Sequence, residues 1–240
     1  MSGPAWLIIP TYNEVANLEP LVTSVLPLLA RAAPAGHRVL IVDDSSPDGT
    51  GRLADAMAAR LESVEVLHRP SRAGLGPAYL AGFSAALEGG AAYLLQMDAD
   101  FSHDPADVPR LLNRAEQGAD LVLGSRYVSG GGVVDWGATR RSISRAGCWY
   151  ARKVLGVPIR DLTGGFKCFR RTALEAIDLP SIRSQGYAFQ VEMTYRALRE
   201  GLSVVEIPIL FRERREGASK MSTGIVVEAA WRVPRLRLSP

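Results

Sequence analysis

The chain has 240 residues, 47% hydrophobic and 22% charged, with a formal net charge of +3. That is enough apolar material for one large α/β unit or two small ones, and too little excess charge to imply nucleic-acid binding. Cys148 and Cys168 are too few for a disulfide framework and lack metal-ligand spacing, so reduced, buried thiols are expected, and His37, His68 and His103 form no cluster.

Strand and helix patterns alternate through the first half. Strands are expected near 6–9, 38–42, 63–67, 93–97 and 120–123, with helices near 15–30, 51–60, 76–87 and 106–116. The alternation predicts βαβ units and a mostly parallel central sheet with flanking helices, an α/β fold. Near Gly130 the character changes. Gly130-Gly131-Gly132 reads as a flexible connector. From Trp136 to Arg160 there are six basic residues (Arg140, Arg141, Arg145, Arg152, Lys153, Arg160) and no acidic one. Ile143, Gly147, Tyr150, Val154 and Leu155 recur there at near-helical spacing. Such a basic amphipathic helix, with Trp149 and Tyr150, fits either an anionic membrane surface or an ordinary core-packed helix with a solvated face. A helix near 188–199 and a strand near 203–207 follow. Between Arg212 and Arg237 the tail carries seven basic residues against three acidic ones. No repeat or low-complexity tract is present. The apolar start, Trp6 to Pro10, is too short for a secretory signal, and no run approaches the roughly 18–20 apolar residues of a membrane span. A soluble protein, or one held only at a membrane surface, is expected.

Five elements carry candidate chemistry. Ile8-Ile9-Pro10-Thr11-Tyr12-Asn13-Glu14 ends a strand and opens a helix, and reads as a capped helix start or as a place for a nucleotide. Val42-Asp43-Asp44 ends the second strand, where a carboxylate can accept hydrogen bonds from a base or ribose. No G-x-G-x-x-G or P-loop is present, which disfavours dinucleotide binding and P-loop phosphoryl transfer. Asp98-Ala99-Asp100, with Ser102, ends the fourth strand. Alone it reads as a solvated turn. Paired with the second acidic strand end it reads as a site of oxygen ligands for Mg²⁺ or Mn²⁺ and, through the cation, a diphosphate. Gly124-Ser125-Arg126-Tyr127 places Arg126 at another strand end, facing a phosphate or forming a surface salt bridge. Finally, the basic loop around Arg214 and Lys220 is either solvated or a clamp over an anionic substrate.

These elements, in this order, together with Gly74-Leu75-Gly76, Asp161-Leu162-Thr163-Gly164-Gly165-Phe166-Lys167 and Gly217-Ala218-Ser219-Lys220, closely resemble the polyprenol-phosphate (dolichol-phosphate) mannose synthases among the family 2 inverting glycosyltransferases. The resemblance runs from about residue 5 to 222 and implies a GT-A fold with C-terminal amphipathic interfacial helices. It divides one catalytic domain into a nucleotide-sugar part (5–129), an acceptor and membrane part (130–222) and a tail (223–240). By this resemblance Pro10, Tyr12, Glu14, Val42 and Asp44 line a GDP pocket. Asp98, Ala99 and Asp100 hold the diphosphate and the metal, with Asp100 the direct ligand and Ser102 a candidate second one. Arg126, Arg214 and Lys220 meet phosphates, with Asp100, Arg126 and Arg214 forming the catalytic set. The Arg140, Arg141, Arg145 and Trp149 segment meets the membrane and frames the lipid phosphate.

The implied reaction is inverting transfer of mannose from GDP-mannose to polyprenyl phosphate, giving a β-linked mannosyl phospholipid for lipid and protein mannosylation. A phosphate acceptor is already anionic and needs no catalytic base, so alignment and charge control suffice. Mg²⁺ or Mn²⁺ is the expected cofactor. The expected location is the inner face of a bacterial plasma membrane, reached through the interfacial helices or a membrane-anchoring protein partner, because the transmembrane helices of many relatives are not seen here. The alternatives are another donor such as UDP-glucose, a non-catalytic nucleotide-sugar binding module and a nucleic-acid binder.

Overall fold

The computed structural model describes residues 3–213 and 231–237. Its strands are β1 (Ala5–Thr11), β2 (His37–Asp43), β3 (Val64–His68), β4 (Tyr93–Gln96), β5 (Leu121–Ser125), β6 (Gly132–Val133), β7 (Lys167–Arg170), β8 (Val204–Pro208) and β9 (Leu210–Phe211). The helices are α1 (Val15–Ala32), α2 (Thr50–Ala58), α3 (Leu75–Glu88), α4 (Val108–Glu116), α5 (Ala138–Leu155), α6 (Arg171–Ala176) and α7 (Gly186–Arg199). Seven strands form one sheet in the order β3-β2-β1-β4-β7-β5-β8, and β6 pairs with β9 beside it. The elements expected from sequence lie within a residue or two of these bounds, because their apolar runs are long and cleanly bounded.

The strands are apolar on both faces, as parallel strands covered by helices must be. Alternation divides their side chains between two cores. Leu7 and Ile9 of β1 pack with Leu18, Leu21 and Leu29 of α1 and Leu111 of α4. Trp6 and Ile8 face the other way, onto Tyr79 and Phe83 of α3 and Phe189 of α7. At the crossing of α3 and α7, Gly76 is obligatory: a Cβ there would stand 2.8 Å from the Ser184 carbonyl oxygen and 3.2 Å from the Phe189 ring.

β1 pairs in parallel with β2 and β4, and β2 with β3, so their carboxyl ends share one edge. β7 runs antiparallel between β4 and β5. It therefore begins at that same edge, which delivers the preceding Asp161–Gly165 stretch to the strand ends. Lys-Cys-Phe-Arg has no strand-like alternation, so β7 was not foreseen.

Two expectations need correction. Gly130–Gly132 is an ordered turn and not a flexible connector. The Gly131 amide donates to the Val128 carbonyl (3.0 Å), and the Gly132 amide donates to the Ile209 carbonyl (3.0 Å) at the start of β6. A Cβ on Gly131 would stand 2.5 Å from the Ser125 carbonyl oxygen, so the turn requires glycine. In α5 the expected apolar stripe packs only in its second half. Of its five residues Leu155 is buried and Tyr150 and Val154 are half-buried, whereas Ile143 is 44% exposed and Gly147 is exposed too; Cys148 and Ala151 add to the packed side, and Trp149, outside the stripe, is 62% exposed. Among the described residues no helix is long and apolar enough to cross a membrane.

Candidate active site

A cavity of about 230 Å³ opens at the carboxyl edge of β1, β2 and β4, where open α/β sheets bind ligands. Pro10, Tyr12 and Asp44 line one side, and the Arg72 guanidinium stacks 4.2 Å from the centre of the Tyr12 ring. Asp44 accepts from Arg69 Nη1 (2.5 Å) and from the Ala73 amide (3.2 Å), which fixes its carboxylate in the wall. Its neighbour Asp43 has a different role. It accepts from Thr11 Oγ1 (2.9 Å), the Ser46 amide (3.0 Å) and Ser46 Oγ (2.6 Å), tying the ends of β1 and β2 together. The expected wall positions Glu14 and Val42 do not line the cavity. Glu14 stands at the N-cap position of α1 without a side-chain capping bond, its amide donating to Thr50 Oγ1 (2.9 Å) and its carboxylate accepting from Asn17 Nδ2 (3.0 Å). Val42 is wholly buried in the core below.

Asp98, Ala99 and Asp100 form the floor. Asp98 Oδ1 accepts from the Tyr79 hydroxyl (3.2 Å), and Asp100 Oδ1 from the Ser102 amide (3.0 Å). Burial, followed by the charge of Asp98, pushes the Tyr79 hydroxyl well above its ordinary range, so Tyr79 remains a donor. The Asp98 amide donates to His103 Nδ1 (3.3 Å). His103 is buried, stacked on Phe166, and burial holds its pKa down against the pull of Asp98 and Asp100, so the ring is neutral near pH 7. Ser102 Oγ is buried with no hydrogen-bond partner among the described residues. Two carboxylates and an orphaned hydroxyl form a hard-oxygen set that suits Mg²⁺ or Mn²⁺. Among the described residues no group of three His, Cys, Asp or Glu side chains gathers. The donor set therefore fits a cation that completes its shell from diphosphate and water.

Arg126 is not the surface salt bridge of the second alternative. It is 5% exposed and forms a buried fork with Asp161: its amide (2.9 Å) and Nε (2.7 Å) donate to Oδ2, and Nη2 donates to Oδ1 (2.6 Å). Burial alone would lower the Arg126 pKa, but the Asp161 charge overrides it, so the guanidinium stays charged. Burial likewise opposes ionisation of Asp161, and Arg126 holds it below the usual carboxylate range. Arg126 Nη2 also donates to Thr163 Oγ1 (2.8 Å), and Thr163 lines the strand-end cavity. Cys148 completes the cluster, 3.2 Å from Thr163 Oγ1, with burial and then Asp161 pushing its thiol up to about 11.

On its far side Arg126 borders a second cavity, lined also by Tyr127, Arg145, Cys148, Trp149, Arg152 and Arg160. Arg145, Arg152 and Arg160 are exposed, and the lining holds no acidic side chain. Of the four expected acceptor residues, Arg145 and Trp149 line this cavity. Arg140 pairs with Glu213 and lies 4.2 Å over the Trp136 ring, and Arg141 reaches the Trp136 carbonyl oxygen (3.4 Å). Arg214 and Lys220 lie outside the described residues.

The strand ends thus bring together Pro10, Tyr12, Asp44, Asp98, Ala99 and Asp100 as sequence reasoning expects. That reasoning missed Arg69, Arg72, Tyr79, His103 and Gln190. Asp161 and Thr163 stood inside a recognised motif with no role assigned; a carboxylate three residues before a diglycine was the available signal.

The model of the family described as "Glycosyl transferase family 2" matches residues 6–178. The chain is 50% identical over 228 residues to the polyprenol monophosphomannose synthase of Mycolicibacterium smegmatis, covering 95% of this chain and 84% of that protein. It is 52% identical over 232 residues to the undecaprenyl-phosphate mannosyltransferase of Micrococcus luteus, covering 97% and 93%. Among solved structures, glucosyl-3-phosphoglycerate synthase from Mycobacterium tuberculosis in complex with phosphoglyceric acid superposes with a TM-score of 0.74 at 18% identity, covering 99% of this chain and 81% of that one. An architecture shared at so low an identity, with about half of the residues shared with two bacterial mannosyltransferases over nearly the whole chain, leaves one assignment: the chain belongs to glycosyl transferase family 2.

Proposed function

We propose that this glycosyltransferase moves mannose from GDP-mannose to the phosphate of a polyprenyl phosphate, inverting the anomeric centre and releasing GDP. The observation that carries the reading is the abutment of two unlike cavities. A carboxylate-floored cavity at the strand ends and an arginine-lined cavity beside α5 meet across the Thr163–Arg126 hydrogen bond. The first suits a nucleotide sugar and the second an anionic acceptor. The relatives' names supply the chemical identities of sugar and acceptor.

In this reading Tyr12 and Arg72 hold the base end of the donor, and Asp44 accepts hydrogen bonds from base or ribose. Asp98 and Asp100, with Ser102 beside them, would hold Mg²⁺ or Mn²⁺, which when bound neutralises charge on the departing diphosphate. Arg145, Arg152 and Arg160 attract the acceptor phosphate, and Arg126 fixes the Thr163 hydroxyl at the junction. The acceptor arrives ionised, so no residue needs to remove a proton, and His103, neutral with its Nδ1 occupied, is not poised to do so. Exposed Ile143 and Trp149, among the arginines of α5, suit a helix resting on an anionic lipid surface at the cytoplasmic face.

Purified protein, Mg²⁺, a short polyprenyl phosphate and labelled GDP-mannose or UDP-glucose test the proposal. EDTA-sensitive mannolipid from GDP-mannose is expected. Product only from UDP-glucose keeps the acceptor and changes the donor; product from neither overturns the reading.

A further inference from the structure

Gln190, on α7, lines the strand-end cavity and is 2% exposed. Its side-chain oxygen is committed: Oε1 accepts from Gln96 Nε2 (2.8 Å), which also donates to the Gly165 carbonyl (2.8 Å). Its backbone carbonyl accepts from Lys167 Nζ (2.7 Å) and Thr194 Oγ1 (3.1 Å). Reversing the amide would set two NH₂ groups against each other, so the network fixes its orientation. Gln190 Nε2 is left buried with no hydrogen-bond partner among the described residues. Gln96 Oε1 is likewise unpartnered, but Gln96 does not line the cavity.

Asp98 and Gln190 Nε2 both flank the bare Cα of Gly165. The point where a Gly165 Cβ would stand is 3.6 Å from each Asp98 carboxylate oxygen and 3.6 Å from Gln190 Nε2. A group that approaches this bare Cα from the cavity has an acceptor and a donor beside it. A phosphate oxygen with no cation between would be repelled by the carboxylate, and an apolar group would leave the amide unpaired. A hydroxyl donates to one and accepts from the other.

We propose that Gln190 and Asp98 together grip one hydroxyl of the donor's hexose, with Gly165 bare to admit it and Gln96 and Lys167 as positioning residues. This rests on the nucleotide-sugar reading of the cavity and adds the residue that recognises the sugar. Sites built to hydrogen-bond a hydroxyl discriminate strongly against ligands that lack it, because the buried partners are then left unpaired.

Two variants test it. Gln190→Glu keeps an oxygen for Gln96 and replaces only the free donor. Gly165→Ala covers the bare Cα with a methyl at ordinary contact distance, and Gly165 is not among the positive-φ glycines. GDP and GDP-mannose affinities are measured by calorimetry with Mg²⁺, alongside kcat/KM for transfer. Both variants should bind GDP within about twofold of wild type and lose roughly tenfold or more in GDP-mannose affinity or kcat/KM. Donors lacking one mannose hydroxyl add a second readout. One of them should lose rate with wild type, while Gln190→Glu should be indifferent to the same deletion. Unchanged handling of GDP-mannose by both variants, or equal loss of GDP and GDP-mannose binding, overturns the assignment. Wild-type protein that binds GDP but transfers no mannose would instead fault the proposed reaction, and UDP with UDP-glucose would then replace the donor pair.

Discussion

The two cavities hold their polar groups in opposite ways. At the strand ends every lining carboxylate is pinned by the protein: Asp44 by Arg69 and the Ala73 amide, Asp98 by Tyr79, Asp100 by the Ser102 amide. Beside α5, Arg145 and Arg152 extend from an exposed helix face, and among the cavity's arginines Arg126 alone is locked by a side chain of the described residues. The first arrangement is preorganised on rigid elements, where a small displacement is costly to catalysis. The second works by field and reach, suited to an anion on a lipid that arrives in varied poses. Damage should therefore be steep and specific at the strand ends, and shallow and salt-dependent on α5.

The steepest break is expected at Asp100. Asp100→Ala removes a floor carboxylate beside the orphaned Ser102 hydroxyl. Turnover should fall at least about 10³-fold while the melting temperature changes little, since the loss is of charge control at the leaving group. A variant retaining a tenth of wild-type turnover would remove Asp100 from the catalytic set.

The second break falls on the partition between the cavities. Asp161→Asn leaves the buried Arg126 charge without its counter-ion, and losing one partner of a buried pair costs about 3–5 kcal/mol. Urea unfolding at pH 7 should show that loss, with acceptor turnover falling too. The pH dependence has a definite sign. The folded pKa of Asp161 lies below its ordinary 3.8, so its stabilisation is present above 3.8 and lost as pH falls through the folded value. The variant should lack that acid limb; a matching acid limb in both proteins would place the sensitivity elsewhere.

How much of this was legible in the sequence depends on whether a residue acts with its neighbours or across the fold. Asp98 and Asp100 were readable because two carboxylates follow an apolar strand, and the parallel strands were readable because their apolar runs are unbroken, whereas the four-residue β7 was not. Arg126 was readable as a site residue, but its partner lies 35 positions away and reaches it only because β7 inserts antiparallel between β4 and β5. Gln190 and Lys167 were silent for a different reason. A polar residue in a helix or short strand reads as solvated, and only the packing of α7 against the sheet buries both. Trp149 is exposed, as either reading of the helix allows, whereas the failure of Ile143 to pack shows that periodicity marks an apolar face without saying what covers it.

Lys167 gives a third, smaller test of the same contrast. It is buried at the base of the strand-end region, and burial, partly offset by Asp161, lowers its pKa from 10.5 to about 7. The unfolded chain therefore holds a proton that the folded protein gives up between those values, so stability should rise as pH increases from about 7 toward 10.5. Lys167→Met should flatten that rise. An undiminished slope in the variant would assign the rise to other groups.

The smallest effects belong to α5. Arg145→Ala should raise the KM for polyprenyl phosphate by about tenfold or less, leave the KM for GDP-mannose unchanged, and weaken the salt dependence of acceptor use, because an exposed arginine acts through a screened field. Trp149→Ala should lower turnover on a short, detergent-dispersed acceptor only modestly, since the residue lines the arginine-lined cavity, yet clearly reduce co-sedimentation with vesicles containing anionic lipid, since the ring is 62% exposed. The two variants separate the functions of the helix: one draws the phosphate, the other meets the lipid surface. If Arg145→Ala instead altered the donor KM as strongly as the acceptor KM, the two cavities would be working as one rigid site. The contrast between a pinned half and an adaptable half would then have to be abandoned.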